Sequence, residues 1–250
     1  MNELYIRGIK KNKDLAGMDD YLSRLPLLRH LQELEFGSRV IFLVGENGTG
    51  KSTLLEAMAV GYGFNPEGGT RNFCFSSHES HSNLHQYITL IKGVTRPRDG
   101  FFLRAESFYN VATEVDRLDR EGAVPLIDAY GGKSLHEQSH GESFLALIAN
   151  RFSGRGLYLL DEPEAALSPT RLLTLMARMR ELERKDSQFI IATHSPILMA
   201  YPGSEIYVLD EEGLRKTSYE ETEHVQLTKS FLADPEQYFH YLFQEDETLG

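Results

Sequence analysis

Two hydrophobic patterns alternate along the chain. Continuous apolar runs, typical of strands buried on both faces of a sheet, lie at 40–44, 157–160, 189–192 and 206–209. Apolar residues that recur every three or four positions predict helices over 51–60, over 108–119, after Ser139 and after Ser168-Pro169. Strands that alternate with amphipathic helices indicate an α/β fold with a largely parallel central sheet.

The first half of the chain carries weaker patterns, which predict an antiparallel β part. Strand patterns lie at 4–9 and 31–36, with a loop and a short helix over 21–28 between them. Segments 84–91 and 100–104 flank a turn with Pro and Gly, so we expect them to pair as a β-hairpin. Loops are expected over 61–79 and 128–140, and one C-terminal helix over 228–243.

The bulk composition is that of an ordinary globular protein. With 250 residues, of which 41% are hydrophobic and 25% charged, the chain is predicted to form a single domain, 1–250, with a helical subdomain inserted at about 107–150. No apolar stretch approaches the roughly 20 residues of a membrane-spanning helix, and the N-terminus lacks the pattern of a signal peptide, so we expect a cytoplasmic protein. The single cysteine, Cys74, excludes an internal disulfide and is expected to be a small apolar filler.

The charge balance argues against a general affinity for nucleic acid. The net charge is −11 and the pI is near 5.3, whereas a polyanionic backbone demands a basic footprint. Arg7, Lys10, Lys11 and Lys13 form a loose basic stretch that is best interpreted as a solvated loop. Direct nucleic-acid binding is therefore not expected as the main activity.

The strongest motif runs from Gly45 to Ser52 and fits the P-loop pattern G-x-x-x-x-G-K-[ST] between a predicted strand and a predicted helix. Glycines let the backbone wrap closely around phosphate oxygens, and the following helix adds its positive dipole end. We expect Lys51 to reach the β- and γ-phosphates and Ser52 to hold Mg²⁺. The predicted nucleotide-binding residues are Gly45, Glu46, Asn47, Gly48, Thr49, Gly50, Lys51, Ser52 and Thr53.

Two further motifs end predicted strands. Asp161 and Glu162 follow the run 157–160, which is a Walker B arrangement in which Asp161 would bind Mg²⁺ and Glu162 would polarise the attacking water. His194 follows the run 189–192. Because the carboxyl ends of parallel strands meet at one edge of a sheet, these side chains are expected near the P-loop.

A fourth motif, Ser139-His140-Gly141-Glu142, precedes a predicted helix and has a structural interpretation as a capping box. The order of the motifs, from the P-loop through this helix start and Walker B to the segment 165–168 and His194, resembles that of the ABC-type ATPase family. In that family the helix-start motif is the signature, L-S-G-G-Q. Here His140 replaces its first glycine and Glu142 its glutamine.

The resemblance covers essentially the whole chain and implies a mechanism. By comparison, Ser139 to Glu142 would contact the γ-phosphate held by a second subunit, and the segment 165–168 would communicate across the dimer. His194 would be the switch histidine, catalytic together with Glu162 and Lys51. The implied active unit is a head-to-tail homodimer with two ATP molecules between its subunits.

Two positions depart from the family pattern. The family's metal-sensing glutamine is matched best by Glu106, which is a tentative metal ligand, whereas Gln86 lies inside the preceding predicted strand and fits less well. The adenine-stacking aromatic residue could be Tyr21, although the choice between ATP and GTP stays open.

Within the family, the chain resembles the small stand-alone bacterial ATPases of the AAA/ABC type, since about thirty residues between Glu106 and Ser139 leave no room for a coiled-coil arm. The first hypothesis is an ATP-hydrolysing dimerisation switch for an unknown protein partner. The second is the ATPase subunit of a membrane transporter. The third is an ATPase that controls a nuclease in DNA repair or defence, to which a small basic patch with Arg96 and Arg98 would be relevant, although solvated surface is the favoured interpretation of that patch.

Overall fold

The computed structural model describes residues 3–12, 20–70, 82–106, 108–121 and 132–243. Lys13 and Cys74 lie outside the described residues, as does the part of the predicted loop 61–79 from residue 71 onward. The strands are β1 (Ile6–Lys11), β2 (Glu33–Glu35), β3 (Val40–Val44), β4 (Ile88–Lys92), β5 (Asp99–Arg104), β6 (Gly156–Asp161), β7 (Gln188–Ala192), β8 (Glu205–Asp210) and β9 (Gly213–Thr217). The helices are α1 (Asp20–Arg24), α2 (Pro26–His30), α3 (Lys51–Tyr62), α4 (Phe108–Glu121), α5 (His140–Arg151), α6 (Pro169–Glu183), α7 (Pro196–Met199), α8 (Glu223–Ala233) and α9 (Pro235–Leu242).

The central sheet has six strands in the order β5-β6-β7-β3-β8-β9. Every neighbouring pair is parallel except β8 with β9, so the predicted α/β fold with a largely parallel sheet is confirmed. All residues of β3, β6 and β7 are buried, which explains why these strands read as continuous apolar runs. The parallel strands bring the segments that follow β3, β5, β6 and β7 to one edge of the sheet.

Two apolar layers enclose this sheet. Phe42, Tyr158 and Phe189 pack on one face, in the cluster that contains the apolar side chains of α4, α5 and α6. Ile41 and Ile190 belong to a second cluster, with α3 and the N-terminal strands. Full burial of one such side chain contributes about 1.5–3 kcal/mol, so both faces of the sheet are fixed strongly against their layers.

The predicted β-hairpin at 84–104 is wrong. Strand β4 pairs antiparallel with β1 in a separate three-stranded sheet of order β2-β1-β4, whereas β5 pairs parallel with β6. Residues 83–86 form a 3₁₀ turn rather than strand. The turn at 95–98 therefore marks a change of sheet, because β5 is tied to β6 by backbone bonds such as that from the Arg98 N–H to the Arg155 carbonyl (2.9 Å).

The helix predictions hold with one exception. Ser168 is the N-cap of α6 with Pro169 at its first position, and α3 ends at Gly63, whose φ is 99°. The predicted single C-terminal helix is instead α8 and α9. They separate at Asp234, because Pro235 cannot continue the backbone ladder and the Asp234 side chain caps the Gln237 N–H.

Strand β9 escaped the sequence patterns. It is an edge strand whose residues are mostly not fully buried, and it follows a turn that ends at Gly213 (φ 108°). Such strands carry little apolar signal. Within the described residues, the helices are all too short or too polar to cross a membrane.

Candidate active site

The P-loop joins β3 to α3 at the carboxyl edge of the sheet. Gly45, Gly48 and Gly50 have φ values of 150°, 84° and 98°, in the region that favours glycine. A Cβ on Gly45 would also lie 2.2 Å from the carbonyl oxygen of Leu209. The loop can therefore take this shape only with glycine at these positions, as the motif predicts.

Lys51 opens α3 and is nearly fully buried. Its Nζ donates to the carbonyl oxygen of Glu46 at 2.9 Å, across the loop. Burial lowers the pKa of this amine, while the carboxylates of Glu162 and Asp161 act in the opposite direction. The ammonium thus lies between the loop backbone and the acidic end of β6, where a polyphosphate would need positive charge.

Asp161 ends β6 and meets the P-loop directly. The Ser52 hydroxyl donates to its Oδ1 at 2.8 Å. Burial raises the pKa of Asp161 to about 6, and Arg104 and the Ser52 hydrogen bond counter that effect in part. The structure thus brings together the two residues that the sequence assigns to a metal.

Arg104 is a site residue that the sequence reasoning missed. It is the strand partner of Asp161 in the β5–β6 register, and its Nε lies 3.5 Å from Asp161 Oδ2. Its guanidinium also donates to Glu56 at 2.8 Å and lies 3.5 Å from Glu106. The sequence pattern predicted that β5 ends at Arg104. It did not predict the contacts with Asp161, Glu56 and Glu106, because these residues come from other segments of the chain or from the loop after β5. Arg104 fixes positive charge beside the buried carboxylate.

Glu162 has an unusual backbone. Its φ is 48° in the left-handed region, which is uncommon for a non-glycine residue and is often found at functional sites. Its N–H bonds to the carbonyl of Ala192 at the end of β7 (2.9 Å). Its Oε1 lies 3.4 Å from His194 Nε2. The predicted base and the predicted switch histidine are therefore neighbours.

His194 is held from two sides. Its backbone N–H and the Thr193 hydroxyl both donate to the Glu164 carboxylate. Its Nδ1 lies 3.2 Å from Nε2 of His224, at the start of α8. The sequence gave no signal for His224, because a histidine thirty residues downstream on a polar helix is unremarkable until the fold places it.

The two rings have a consistent protonation pattern. Burial, followed by the neighbouring His194, lowers the pKa of His224, so that ring is neutral at pH 7. The Glu162 carboxylate lies 3.4 Å from His194 Nε2 without forming a hydrogen bond, and its negative charge favours an N–H at that nitrogen and an acceptor at Nδ1. His224 must then donate from Nε2. The proton positions are inferred from these partners.

A cavity of about 250 Å³ lies beside Ser52 and Asp161. Its lining residues are Ser52, Ala105, Glu106, His140, Asp161, Glu162 and Ala165. Glu106 is on this cavity, but its side chain is 82% exposed. Gln86 belongs to the 3₁₀ turn before β4 and does not line the cavity. The cavity lining therefore favours Glu106 over Gln86 as the residue at the metal-sensing position.

The helix start at Ser139 contains the predicted capping box. The carboxylate of Glu142 accepts from the Ser139 N–H at 3.1 Å and from its hydroxyl at 2.6 Å, and Arg171 lies 3.3 Å from the other oxygen. A Cβ on Gly141 would lie 2.8 Å from the carbonyl of Ala166 and 2.4 Å from Arg171. Gly141 is thus needed where α5 passes the segment 165–168.

Tyr21 lies on α1 with 57% of its surface exposed. Leu25, which follows that helix, is 3.3 Å from the position a Cβ on Gly50 would take. The α1–α2 segment therefore lies beside the P-loop, while stacking of Tyr21 on a base remains a prediction.

Two family models match the chain. One, described as "AAA domain, putative AbiEii toxin, Type IV TA system", matches residues 128–200, and one described as "AAA domain" matches residues 25–118. An uncharacterized ABC transporter ATP-binding protein of Haemophilus influenzae is 24% identical over 207 residues, 74% of this chain and 75% of that protein.

The ribose import ATP-binding protein RbsA of Halalkalibacterium halodurans is 25% identical over 197 residues. The match covers 72% of this chain but only 39% of RbsA. Among solved structures, cbiO1 from Clostridium perfringens, part of the ABC transporter complex cbiONQ, shares the fold at a TM-score of 0.54 and 18% identity. That match covers 95% of this chain and 98% of cbiO1.

These similarities extend over the P-loop, the Walker B strand and the His194 edge, whose side chains the fold brings together. The motifs and the relatives agree on nucleotide chemistry at one site. The family models, the curated relatives and the fold all support an ABC-type ATPase, and with it the binding and hydrolysis of ATP.

Proposed function

We propose that two copies of the chain close around two ATP molecules, that hydrolysis separates them, and that a protein partner responds to this ATP-driven dimerisation. One observation carries the proposal. Ser139 and Glu142 at the start of α5 are exposed and, unlike His140, do not line the cavity of their own chain. These two polar side chains are therefore accessible to the nucleotide of a second copy.

Within one chain, the roles follow from the contacts. Lys51 and the P-loop backbone hold the phosphates, and Glu162 accepts the proton of the attacking water. His194 lies 3.4 Å from Glu162, close enough to act on the charge of that carboxylate.

The Ser52 hydroxyl and the Asp161 carboxylate suit a divalent ion. Both offer hard oxygen donors, and the Ser52 oxygen lies 2.8 Å from Asp161 Oδ1. The Asp161 carboxylate is buried, which raises its pKa. We assign these two residues to Mg²⁺, with Glu106, which lines the same cavity, as a further ligand. When bound, Mg²⁺ would neutralise phosphate charge.

His224 is a positioning residue in this scheme. Its donation to His194 Nδ1 selects the tautomer in which His194 presents an N–H to Glu162. His224 Nε2 also lies 3.8 Å from a carboxylate oxygen of Glu46 in the P-loop. A shift of the P-loop on nucleotide binding would therefore change the distance between Glu46 and His224, and with it the charge beside the His194–His224 pair.

The second candidate function is the ATPase subunit of a transporter, which the names of the Haemophilus and ribose import relatives favour. The departures from the ABC family pattern at Glu106, His140 and Glu142 favour the ATP-driven dimerisation switch over the transporter subunit. Recovery of a membrane permease bound to the tagged chain from cells would support the transporter; recovery of a nuclease would support control of that enzyme.

The test is the oligomeric state of Glu162→Gln, measured by light scattering after gel filtration with and without Mg-ATP. We expect a monomer without nucleotide and a dimer with it, because slow hydrolysis traps the closed form. Glu212→Gln, at an exposed turn, is the matched control and should behave as wild type. A Glu162→Gln monomer under both conditions would overturn the dimerisation proposal.

A further inference from the structure

The amino-terminal edge of the central sheet, opposite the ATP site, carries a row of arginines. Arg98 immediately precedes β5, Arg155 precedes β6 and Arg39 precedes β3. Neighbouring strands lie about 4.8 Å apart, so Arg98 and Arg155 are adjacent in space although they are far apart in sequence, and Arg39 lies two strands from Arg155, across β7. Backbone bonds confirm the arrangement, from Arg98 N–H to Arg155 O (2.9 Å) and from Arg155 N–H to Lys185 O (2.6 Å).

These arginines surround a cavity of about 390 Å³ together with Arg96, Glu3, Tyr5, Thr95 and Asp186. A second concavity of about 480 Å³ shares Arg98, Arg155 and Asp186 and adds Lys185. Four guanidinium groups face two carboxylates in the first cavity. This local excess of positive charge stands out in a chain whose net charge is −11.

The positive charges are poorly neutralised by the protein itself. Arg39 lies 3.1 Å from Asp186, but its buried Nη1 has no acceptor. Asp186 is 63% exposed, which weakens that pair. Among the described residues, no carboxylate lies within ion-pair distance of Arg96, Arg98 or Arg155. Like charges held side by side repel, which favours an anion between them.

Tyr5 lines the same cavity as the guanidinium groups. Its hydroxyl donates to the Asp186 carbonyl at 2.9 Å. Burial raises the pKa of Tyr5; Arg39 acts against that rise, Asp186 adds to it, and Arg155 and Arg98 oppose it more weakly. The phenol therefore lies within the field of guanidinium groups from three strand ends.

We propose that this cavity binds a small phosphate-bearing molecule at a site separate from the ATP site. Guanidinium groups bind phosphate oxygens in bidentate geometry, and the cavity volume is in the range of small-ligand pockets. Strand β6 has six residues, so its length of roughly 20 Å separates Arg155 from Asp161 at the ATP site. Tyr5 is buried and offers no base-stacking surface, which favours a small ligand over single-stranded nucleic acid.

The test is isothermal titration of inorganic pyrophosphate into the full chain after the P-loop has been saturated with a non-hydrolysable ATP analogue and equimolar Mg²⁺. We expect one further binding event that weakens as NaCl is raised. The variant Arg98→Ala/Arg155→Ala should bind pyrophosphate at least about tenfold more weakly. Arg120→Ala/Arg180→Ala removes the same charge from exposed positions on α4 and α6 and should bind as wild type.

Thermal unfolding and ATP hydrolysis of Arg98→Ala/Arg155→Ala, both expected to stay near wild type, show that the fold and the ATP site are intact. Equal pyrophosphate affinity in the two double variants would overturn the proposal, as would the absence of any binding event. A twelve-nucleotide single strand, followed by fluorescence anisotropy, tests the other source of phosphate. If the oligonucleotide binds through these arginines and pyrophosphate does not, the small-ligand proposal is wrong.

Discussion

The hydroxyl of Ser52 donates to the carboxylate of Asp161 at 2.8 Å across 109 residues of sequence. This bond joins the P-loop to the end of β6. Arg104 lowers the pKa of Asp161 and Glu162 raises it, so both act on the charge of the carboxylate that Ser52 contacts.

Lys51→Ala should weaken ATP binding by roughly 10- to 100-fold, because a charge-assisted contact to phosphate is lost from a buried position. Equilibrium titration with a fluorescent ATP analogue measures this change. Lys229→Ala, on the exposed face of α8, is the control and should bind normally. Wild-type affinity in Lys51→Ala would contradict the phosphate role of this lysine.

Glu162→Gln should lower kcat by about 10²- to 10⁴-fold, since an amide cannot accept the proton of the attacking water. ATP affinity should change little, because binding does not require the base. Steady-state release of phosphate gives the rate, and the fluorescent titration gives the affinity. Turnover at the wild-type rate would show that another group is the base.

Ser139→Arg should block hydrolysis while ATP binding to the monomer persists. The large cation would stand at the exposed helix start, where we place the contact with the second copy. The substitution Ser230→Arg on the exposed surface of α8 controls for the added charge. Normal turnover by Ser139→Arg would rule out a role for this helix start across the dimer.

His224→Ala should lower kcat by about tenfold without weakening ATP binding, because His194 loses the donor that fixes its tautomer. His224→Gln keeps an N–H donor in a similar position and should recover part of the rate. Comparison of kcat, KM and thermal unfolding across both variants separates positioning from folding. Equal losses of rate and stability in both variants would favour a merely structural histidine.

Asp99→Asn should reduce the free energy of unfolding by about 1–3 kcal/mol at pH 7. Asp99 accepts bonds from Arg151 (2.8 Å), the Ser153 N–H (3.0 Å) and the Tyr158 hydroxyl (2.8 Å). Burial acts to raise the pKa of Asp99, but these bonds outweigh it and hold the pKa below its usual value of 3.8.

The sign of the pH effect follows from that lowered pKa. The ionised carboxylate stabilises the fold above the unfolded pKa near 3.8, and the contribution is lost as the pH falls through the lower folded value. The stability gap between wild type and Asp99→Asn should therefore narrow below about pH 4. Urea unfolding at pH 7 and pH 3.5 measures it, and a gap that is constant with pH would contradict this assignment.

Local patterns in the sequence determined the parts of this protein that depend on neighbouring residues. The P-loop glycines, the apolar strands before Gly45 and Asp161, and the capping box at Ser139 each follow from a few consecutive residues. Burial on both faces makes β3, β6 and β7 continuous apolar runs, so the α/β class was readable as well.

Only the tertiary structure decided which distant residues meet. Segments 84–91 and 100–104 looked like a hairpin, yet strand order places β4 and β5 in different sheets. Register alone brings Arg104 to Asp161, and helix packing alone brings His224 to His194. The hydrophobic pattern of a sequence predicts which face of a strand is buried. It does not predict which strands pair, because pairing depends on contacts between segments separated by many residues.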